Sequence, residues 1–154
     1  MLFDHWEAKR GGRLAPRWRE IEPGDIKPVL PFISVADVFE SPFDLRFRLV
    51  GTAIVEAAGY DFMGRNLRGM EVLDSDVEGW LKYYRRIVDE KRPLFGRYRV
   101  TADSEFLRIA DHVALPLSDD GLTVNRIIEI EDWSVIRGVN LKRMENTAFR
   151  FEPL

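Results

Sequence analysis

The sequence predicts an α+β domain in which a five-stranded antiparallel sheet carries its helices on one face. Five segments rich in β-branched and aromatic residues are separated by turn residues, which is typical of strands. One segment between the second and third of them repeats apolar residues at steps of three and four, which indicates a helix. The expected order is two strands, a short helix, a long helix and three strands.

Length and composition limit what this domain can be. The chain has 154 residues, of which 45% are hydrophobic and 32% charged, so it has the composition of a globular protein and the size of one domain. Its net charge is −3 and only one short run is basic, so we expect no nucleic-acid partner. Cysteine is absent, which excludes disulfides, thiol nucleophiles and cysteine-bound zinc or iron–sulfur clusters.

The chain divides into an N-terminal segment (1–21), a central domain (22–135) and a C-terminal extension (136–154). Acidic residues occupy the start, where a signal peptide would be basic and then apolar, and no stretch approaches the ~20 apolar residues of a membrane helix. We therefore expect a cytoplasmic protein without membrane insertion. Residues 9–19 hold five basic residues and no acid, with Gly11, Gly12 and Pro16 among them, which indicates a solvated, flexible arm.

The first half of the central domain contains a short helix, two strands and a second short helix. Pro23 suits the first helical position, and Pro31 ends that helix. The strands are expected at 32–39 and 45–51, on either side of a turn at 41–44. Thr52 is expected to cap a helix at 53–58, and Gly59 to close it in a left-handed conformation.

The long helix has the clearest local signal. Ser75 and Glu78 have the spacing of a capping box, in which each side chain binds a free amide of the first turn. Pro93 ends the helix. Its apolar stripe, which should lie on the sheet, is formed by Val77, Trp80, Leu81, Tyr84, Ile87 and Val88.

Three strands complete the sheet, at 94–100, 106–117 and 124–133. Asp120-Gly121 predicts a tight hairpin between the last two. In the middle strand Asp111 falls on the same face as the apolar residues, which we assign to the inner face of the sheet, and His112 falls on the opposite face. Glu129 and Glu131 share one face of the last strand, where a solvated polar surface is the expected environment.

Several motifs occur in a particular order. Residues 28–33 and 47–52 have the pattern of a helix followed by two strands, Gly64-Arg65-Asn66-Leu67 falls in the crossover, and Glu131-Asp132-Trp133-Ser134 ends the last strand. Over residues 22–135 these motifs resemble the PAS sensory domains, most closely the branch found as small stand-alone proteins in proteobacteria. The crossover is similar to the Gly-Arg/Lys-x-Leu of that family, and the final motif to its Asp-Ile-Thr, from which Trp133 and Ser134 depart.

The resemblance implies a sensory or regulatory module that binds a small ligand or a signalling protein partner. The expected ligand site lies between the long helix and the sheet, because such sites are concave and mostly apolar. Its expected residues are Trp80, Tyr84, Tyr98 and Asp111. Plain core packing is the alternative for the aromatic pair. For Asp111 the alternatives are an ion pair with Arg97 or Arg99, or a bulge that turns the carboxylate to solvent.

The resemblance also bears on cofactors, partners and catalysis. Haem is disfavoured because the long helix, 76–91, lacks the histidine that haem-binding relatives place there, and a covalent flavin is disfavoured because Leu67 stands at the cysteine position. The cofactor is otherwise unknown. No metal site or catalytic set is visible, so we expect no enzyme. A homodimer is expected, with Phe3, Trp6 and Trp18 covering the outer sheet face of their own or a second subunit. The alternatives are a ligand-free interaction adaptor and a small enzyme with Asp111 or Tyr84 as base.

Overall fold

The computed structural model describes residues 1–70, 77–102, 106–131 and 151–153, with side chains for these residues apart from Ala57, 97–110 and 151–153. The chain forms three α-helices: α1 (Leu2–Arg10), α2 (Thr52–Ala58) and α3 (Val77–Glu90). Short 3-10 turns lie at Trp18–Glu20, Lys27–Phe32 and Leu67–Gly69. The strands are β1 (Ile33–Glu40), β2 (Phe43–Val50), β3 (Leu94–Ala102), β4 (Phe106–Leu117), β5 (Arg126–Glu131) and β6 (Phe151–Pro153).

The strands form one sheet in the order β2-β1-β5-β4-β3-β6, and every neighbouring pair is antiparallel. The predicted α+β fold with five antiparallel strands is therefore confirmed, in the predicted order along the chain. The short β6 adds a sixth strand from the C-terminal extension, beside β3. Strand β5 lies between β1 and β4 and so joins the first hairpin to the second half of the sheet.

The helices cover both faces of the sheet, so the expectation that they lie on one face was wrong: it did not include α1. We call the face under α2 and α3 the inner face, and its apolar core includes Phe47, Ile54 and Ile87. The outer face carries α1, whose Trp6 is 1% exposed and donates its indole N–H to the Pro116 carbonyl at 2.7 Å. Residues of the outer core include Leu2, Trp6, Ile33, Val35, Leu115, Leu117 and Ile128.

Residues 9–19 do not form the flexible arm that their charge pattern predicts, whereas Trp6 covers the outer sheet face of its own subunit, one of the two arrangements expected. Two apolar residues of α1 are buried on the sheet, and the basic residues that follow are tied locally. Arg13 donates to both carboxylate oxygens of Glu20, and Arg10 pairs with Glu7. The prediction rested on the five basic residues and gave no weight to Leu14, Ala15 and Trp18, which pack in the outer core.

Two connections differ from the sequence pattern in ways that have a physical reason. Gly51, not Thr52, is the N-cap of α2, and a Cβ there would lie 2.2 Å from the Pro31 carbonyl oxygen. The Asp120-Gly121 pair does not form a two-residue hairpin. Instead, the Asp120 carboxylate accepts hydrogen bonds from the amides of Leu122 and Thr123 and holds a wider loop.

The remaining helix signals have separate outcomes. Gly59 closes α2 in the left-handed conformation, with φ 78°, as predicted. The long helix α3 ends at Glu90, before Pro93. Ser75 of the predicted capping box and Trp133 of the last predicted strand lie outside the described residues.

Candidate functional site

A buried carboxylate lies between α3 and the inner face of the sheet. Glu129 of β5 is 4% exposed. It accepts a hydrogen bond from the Ser34 hydroxyl of β1 at 2.6 Å, and the Tyr84 hydroxyl of α3 lies 2.9 Å from each of its oxygens. One side chain thus joins two neighbouring strands and the long helix.

The position of Glu129 follows from the alternation of β5. Ile128 and Ile130 pack in the outer core, so Glu129 and Glu131 lie on the inner face. Both carboxylates are buried, with Glu131 8% exposed. The antiparallel register brings Ser34 directly opposite Glu129, which explains the short distance between their side chains.

The aromatic stripe of α3 covers these groups. Trp80 and Tyr84 are four residues apart, and their rings are stacked with centroids 6.0 Å apart. Tyr83 contacts Tyr84 edge to face at 5.4 Å. All three side chains are buried. The carboxylate of Glu129 is therefore enclosed mainly by aromatic rings, in a medium where a charge is poorly solvated.

His112 of β4 lies beside this group on the same face. It is 2% exposed, its ring centroid is 4.8 Å from that of Tyr83, and the register places it opposite Glu131. Its imidazole occupies the space above Gly96 of β3. We call Ser34, Tyr84, His112, Glu129 and Glu131 the inner polar cluster.

Burial changes the protonation behaviour of the inner polar cluster. It raises the pKa of Glu129, against which the hydrogen bonds from Ser34 and Tyr84 act. Burial, and then the nearby Glu129 and Glu131 carboxylates, raise the pKa of Tyr84 well above its ordinary value. Burial lowers the pKa of His112 to about 4, although the Asp111 carboxylate opposes this. The neutral forms of Glu129, Tyr84 and His112 are favoured in this environment.

The structure brings together two of the four predicted ligand-site residues. Trp80 and Tyr84 lie side by side under α3, with their side chains inward. Asp111 is exposed, one residue from the buried His112 and so on the outer face. Its register partner is Arg97, one of the two bases offered as an ion-pair partner. The Tyr98 backbone pairs with Ala110 and Phe151, and its side chain is outside the described part.

Three residues of the inner polar cluster were assigned wrongly from the sequence. His112 was assigned to the face opposite the inner one, and Glu129 and Glu131 to a solvated face, yet all three are buried on the inner face. The more apolar face of β4 and β5, which looked like the inner one, lies under α1. When both faces of a sheet are covered, hydrophobic alternation no longer identifies the face under a given helix. The sequence feature that could have indicated the inner face is the presence of acidic residues on β5 and of tyrosines on the stripe of α3.

The described residues provide neither a cluster of metal ligands nor a membrane-spanning helix. No three histidine, aspartate or glutamate side chains of the described ranges meet as ligands of a metal ion would. None of the helices in that part of the chain is long and apolar enough to span a bilayer.

A comparison with known protein families shows to which family the chain belongs. The sequence model of a PAS domain family matches residues 1–95, more than half of the chain. The chain belongs to the PAS domain family. The match begins at the first residue, so it includes α1 and the N-terminal segment, and it extends through α3. A search of curated proteins found no match. PAS membership suggests a sensory or regulatory role in signal transduction.

Proposed function

We propose that this PAS domain is a non-catalytic sensory module that binds a small ligand between α3 and the inner face of the sheet. The observation that carries the proposal is the hydrogen-bonded pair of Tyr84 and Glu129 in the core. A buried carboxylate contributes little stability compared with an apolar residue of similar size, so we infer that its role is recognition or switching.

The surroundings of this pair support a ligand site. Small-molecule sites are mostly apolar, with a few polar groups that fix orientation. Trp80 supplies a flat apolar surface beside Tyr84, and Glu129 supplies an acceptor. A ligand with an aromatic or apolar body and a hydrogen-bond donor matches this chemistry. Tyr98 stays in the proposed site, whereas Asp111, exposed on the opposite face of the sheet, is left out of it.

Output is proposed to pass to a signalling protein partner, in the cytoplasm and from a homodimer. The ligand would favour one packing of α3 over another, and its differential affinity for the two would supply the signal. Residues 1–21, 22–135 and 136–154 remain the proposed division of the chain.

The two alternatives are less well supported. An enzyme would use Asp111 or Tyr84 as a base, but Asp111 is exposed on the outer face and burial raises the pKa of Tyr84. The two therefore do not share a pocket. A ligand-free adaptor is favoured by one observation, the close ring contacts of Trp80, Tyr83 and Tyr84, which fill space under α3.

Native mass spectrometry separates the ligand-binding module from the adaptor. The full chain is sprayed under non-denaturing and then denaturing conditions, and a small molecule lost only on denaturation supports the proposal. Ala114→Leu adds bulk to the inner core and should abolish retention, whereas Ala15→Leu adds the same bulk to the outer core and should preserve it. A native mass equal to the chain mass in every preparation supports the adaptor instead.

A further inference from the structure

The proton balance of the inner polar cluster is unusual for a protein core. Two carboxylates and one imidazole are buried there, and none of the lysine and arginine side chains that the structure describes is buried. Among the described residues, Glu129 receives hydrogen bonds from two hydroxyl groups, those of Ser34 and Tyr84. An ionised Glu129 would therefore be a buried negative charge whose nearest ionisable neighbour on β5 is another carboxylate, Glu131.

We propose that proton exchange at Glu129 regulates how tightly α3 is held on the sheet, and thereby the response of the module. This regulation rests on the proposed function, because it acts at the same site. A proton from water neutralises the carboxylate and allows it to stay among the rings of α3. Release of that proton to water leaves a charge under the helix, which favours states in which α3 separates and water reaches Glu129.

The groups that face Glu129 come from every element packed around it. Strand β1 contributes Ser34, which carries no charge, and β5 contributes Glu131. Strand β4 contributes His112, next to the exposed Asp111. From α3 come Tyr83 and Tyr84, with Arg86 nearby at the surface, where Glu90 pairs with it. Among these described groups, the only base within the core is His112.

His112 sets the acid limit of the regulation. Because burial lowers the pKa of His112 to about 4, its imidazole stays neutral until the solution is more acidic than that. Burial moves the pKa of Glu129 in the opposite direction, upward. The contribution of Glu129 to the hold on α3 is complete below about pH 4.5, declines as the pH rises from there to the Glu129 midpoint, and is lost above it. The contribution of His112 has the opposite sign and is lost as the pH falls from about 6.5 to about 4.

The test measures protonation and helix docking separately. The NMR chemical shifts of the side-chain carboxyl carbons in ¹³C-labelled glutamate, followed against pH, give the titration midpoint of Glu129. The Glu129 signal is identified because it is missing from the spectrum of Glu129→Gln. Hydrogen exchange of residues 77–90 gives the opening of α3, with residues 2–10 as an internal reference. The opening equilibrium of wild type relative to Glu129→Gln should rise about tenfold for each pH unit from about 4.5 to the Glu129 midpoint, then level off. Taking this ratio at each pH removes the opposite contribution of His112.

Control variants keep the proposal falsifiable. Glu56→Gln alters an exposed carboxylate of α2 and should leave the pH dependence unchanged. Ser34→Ala and Tyr84→Phe remove hydrogen-bond donors that favour the charged form of Glu129, so each should move the Glu129 midpoint upward. These two variants test the proposal if Glu129→Gln does not fold. A Glu129 midpoint at or below about 4.5, or a ratio independent of pH, overturns the proposal. If the protein retains a ligand but the Glu129 midpoint is not raised, the regulation is refuted and the proposed function stands. If the midpoint is raised but no ligand is retained, only the proposed ligand binding is refuted.

Discussion

The imidazole of His112 lies where a side chain on Gly96 would have to be. A Cβ built on Gly96 comes within 2.6 Å of His112 Cε1 and 2.9 Å of Nδ1. These two residues are register partners on β3 and β4, and the ring of His112 is held from the other side by Tyr83. The absence of a side chain on one strand is thus what allows a buried histidine on the next.

Gly96→Ala should therefore destabilise the protein by about 1–3 kcal/mol, because the histidine ring must move within a packed interface. Urea unfolding followed by circular dichroism measures the change. Gly24→Ala is the matched control, since a Cβ there meets no atom within 4 Å. Adding His112→Ala should remove most of the clash, so the double mutant should be less destabilised than the sum of the single ones. Strict additivity would contradict the contact.

Tyr84→Phe should cost about 1–3 kcal/mol, because it removes a donor from a buried carboxylate. The cost should be larger at a pH above the Glu129 midpoint than below it, since a charged acceptor forms the stronger hydrogen bond. Ser34→Ala should behave in the same way. Ser118→Ala is its control, because Ser118 is equally buried but bonds to the Asp120 loop. A cost that does not vary with pH would mean that Glu129 keeps one protonation state.

Acid should unfold the protein partly through His112. Its pKa is lowered by burial from the ordinary 6.5 to about 4, so the unfolded chain binds a proton more readily than the folded one. The neutral imidazole therefore costs no stability above about pH 6.5. Stability is lost as pH falls from there to about 4, by an amount on the order of 3 kcal/mol.

The acid effect is measured as the free energy of unfolding across pH 4–7. The free energy of unfolding of His112→Gln relative to wild type should rise by about that amount as the pH falls across this window, because the comparison with wild type removes the opposite contribution of Glu129. His5→Gln, which replaces the other histidine of the chain, is the comparison variant. Equal slopes in wild type and His112→Gln would show that the buried imidazole does not titrate as described.

Trp6→Ala should destabilise the protein by about 3–5 kcal/mol, because a large ring is removed from the outer core. Trp6→Phe keeps most of the apolar contact but loses the hydrogen bond to the Pro116 carbonyl, so its cost should be about 1–2 kcal/mol. Lys9→Ala, a partly exposed position on the same helix, should change stability by less than about 0.5 kcal/mol. Thermal unfolding checks all three, and a neutral Trp6→Ala would mean that α1 is not docked.

The sequence was sufficient to predict strands β1 to β5, helices α2 and α3, and their order along the chain. Strand β4 has the predicted bounds, and α3 has the predicted apolar stripe with Trp80 and Tyr84 inward. These features depend on local periodicity, which a single sequence displays. The short β6 could not be predicted, because a three-residue strand has too few positions to show a period.

Assignment of the sheet faces required information that periodicity lacks. Apolar residues such as Leu115 and Ile128 recur at every second position, as expected for strands. This alternation shows which residues share a face, but it does not show which helix covers that face. The helix that covers these residues, α1, was not predicted, because it has no apolar stripe at helical spacing, although Phe3, Trp6 and Trp18 were expected to cover the outer face. Once α1 is assigned to the apolar face, Glu129 and His112 must lie under α3. The candidate site was missed for this one reason.

Strand β4 sends His112 toward one helix and Leu115 toward the other. The Pro116 carbonyl of β4 also accepts the hydrogen bond from the Trp6 indole N–H, so α1 packs directly on the strand whose other face lines the inner core. Any rearrangement that displaces β4 beneath α3 shifts the seat of α1 as well. A change in packing at the inner face is thereby transmitted through β4 to the helix at the start of the chain.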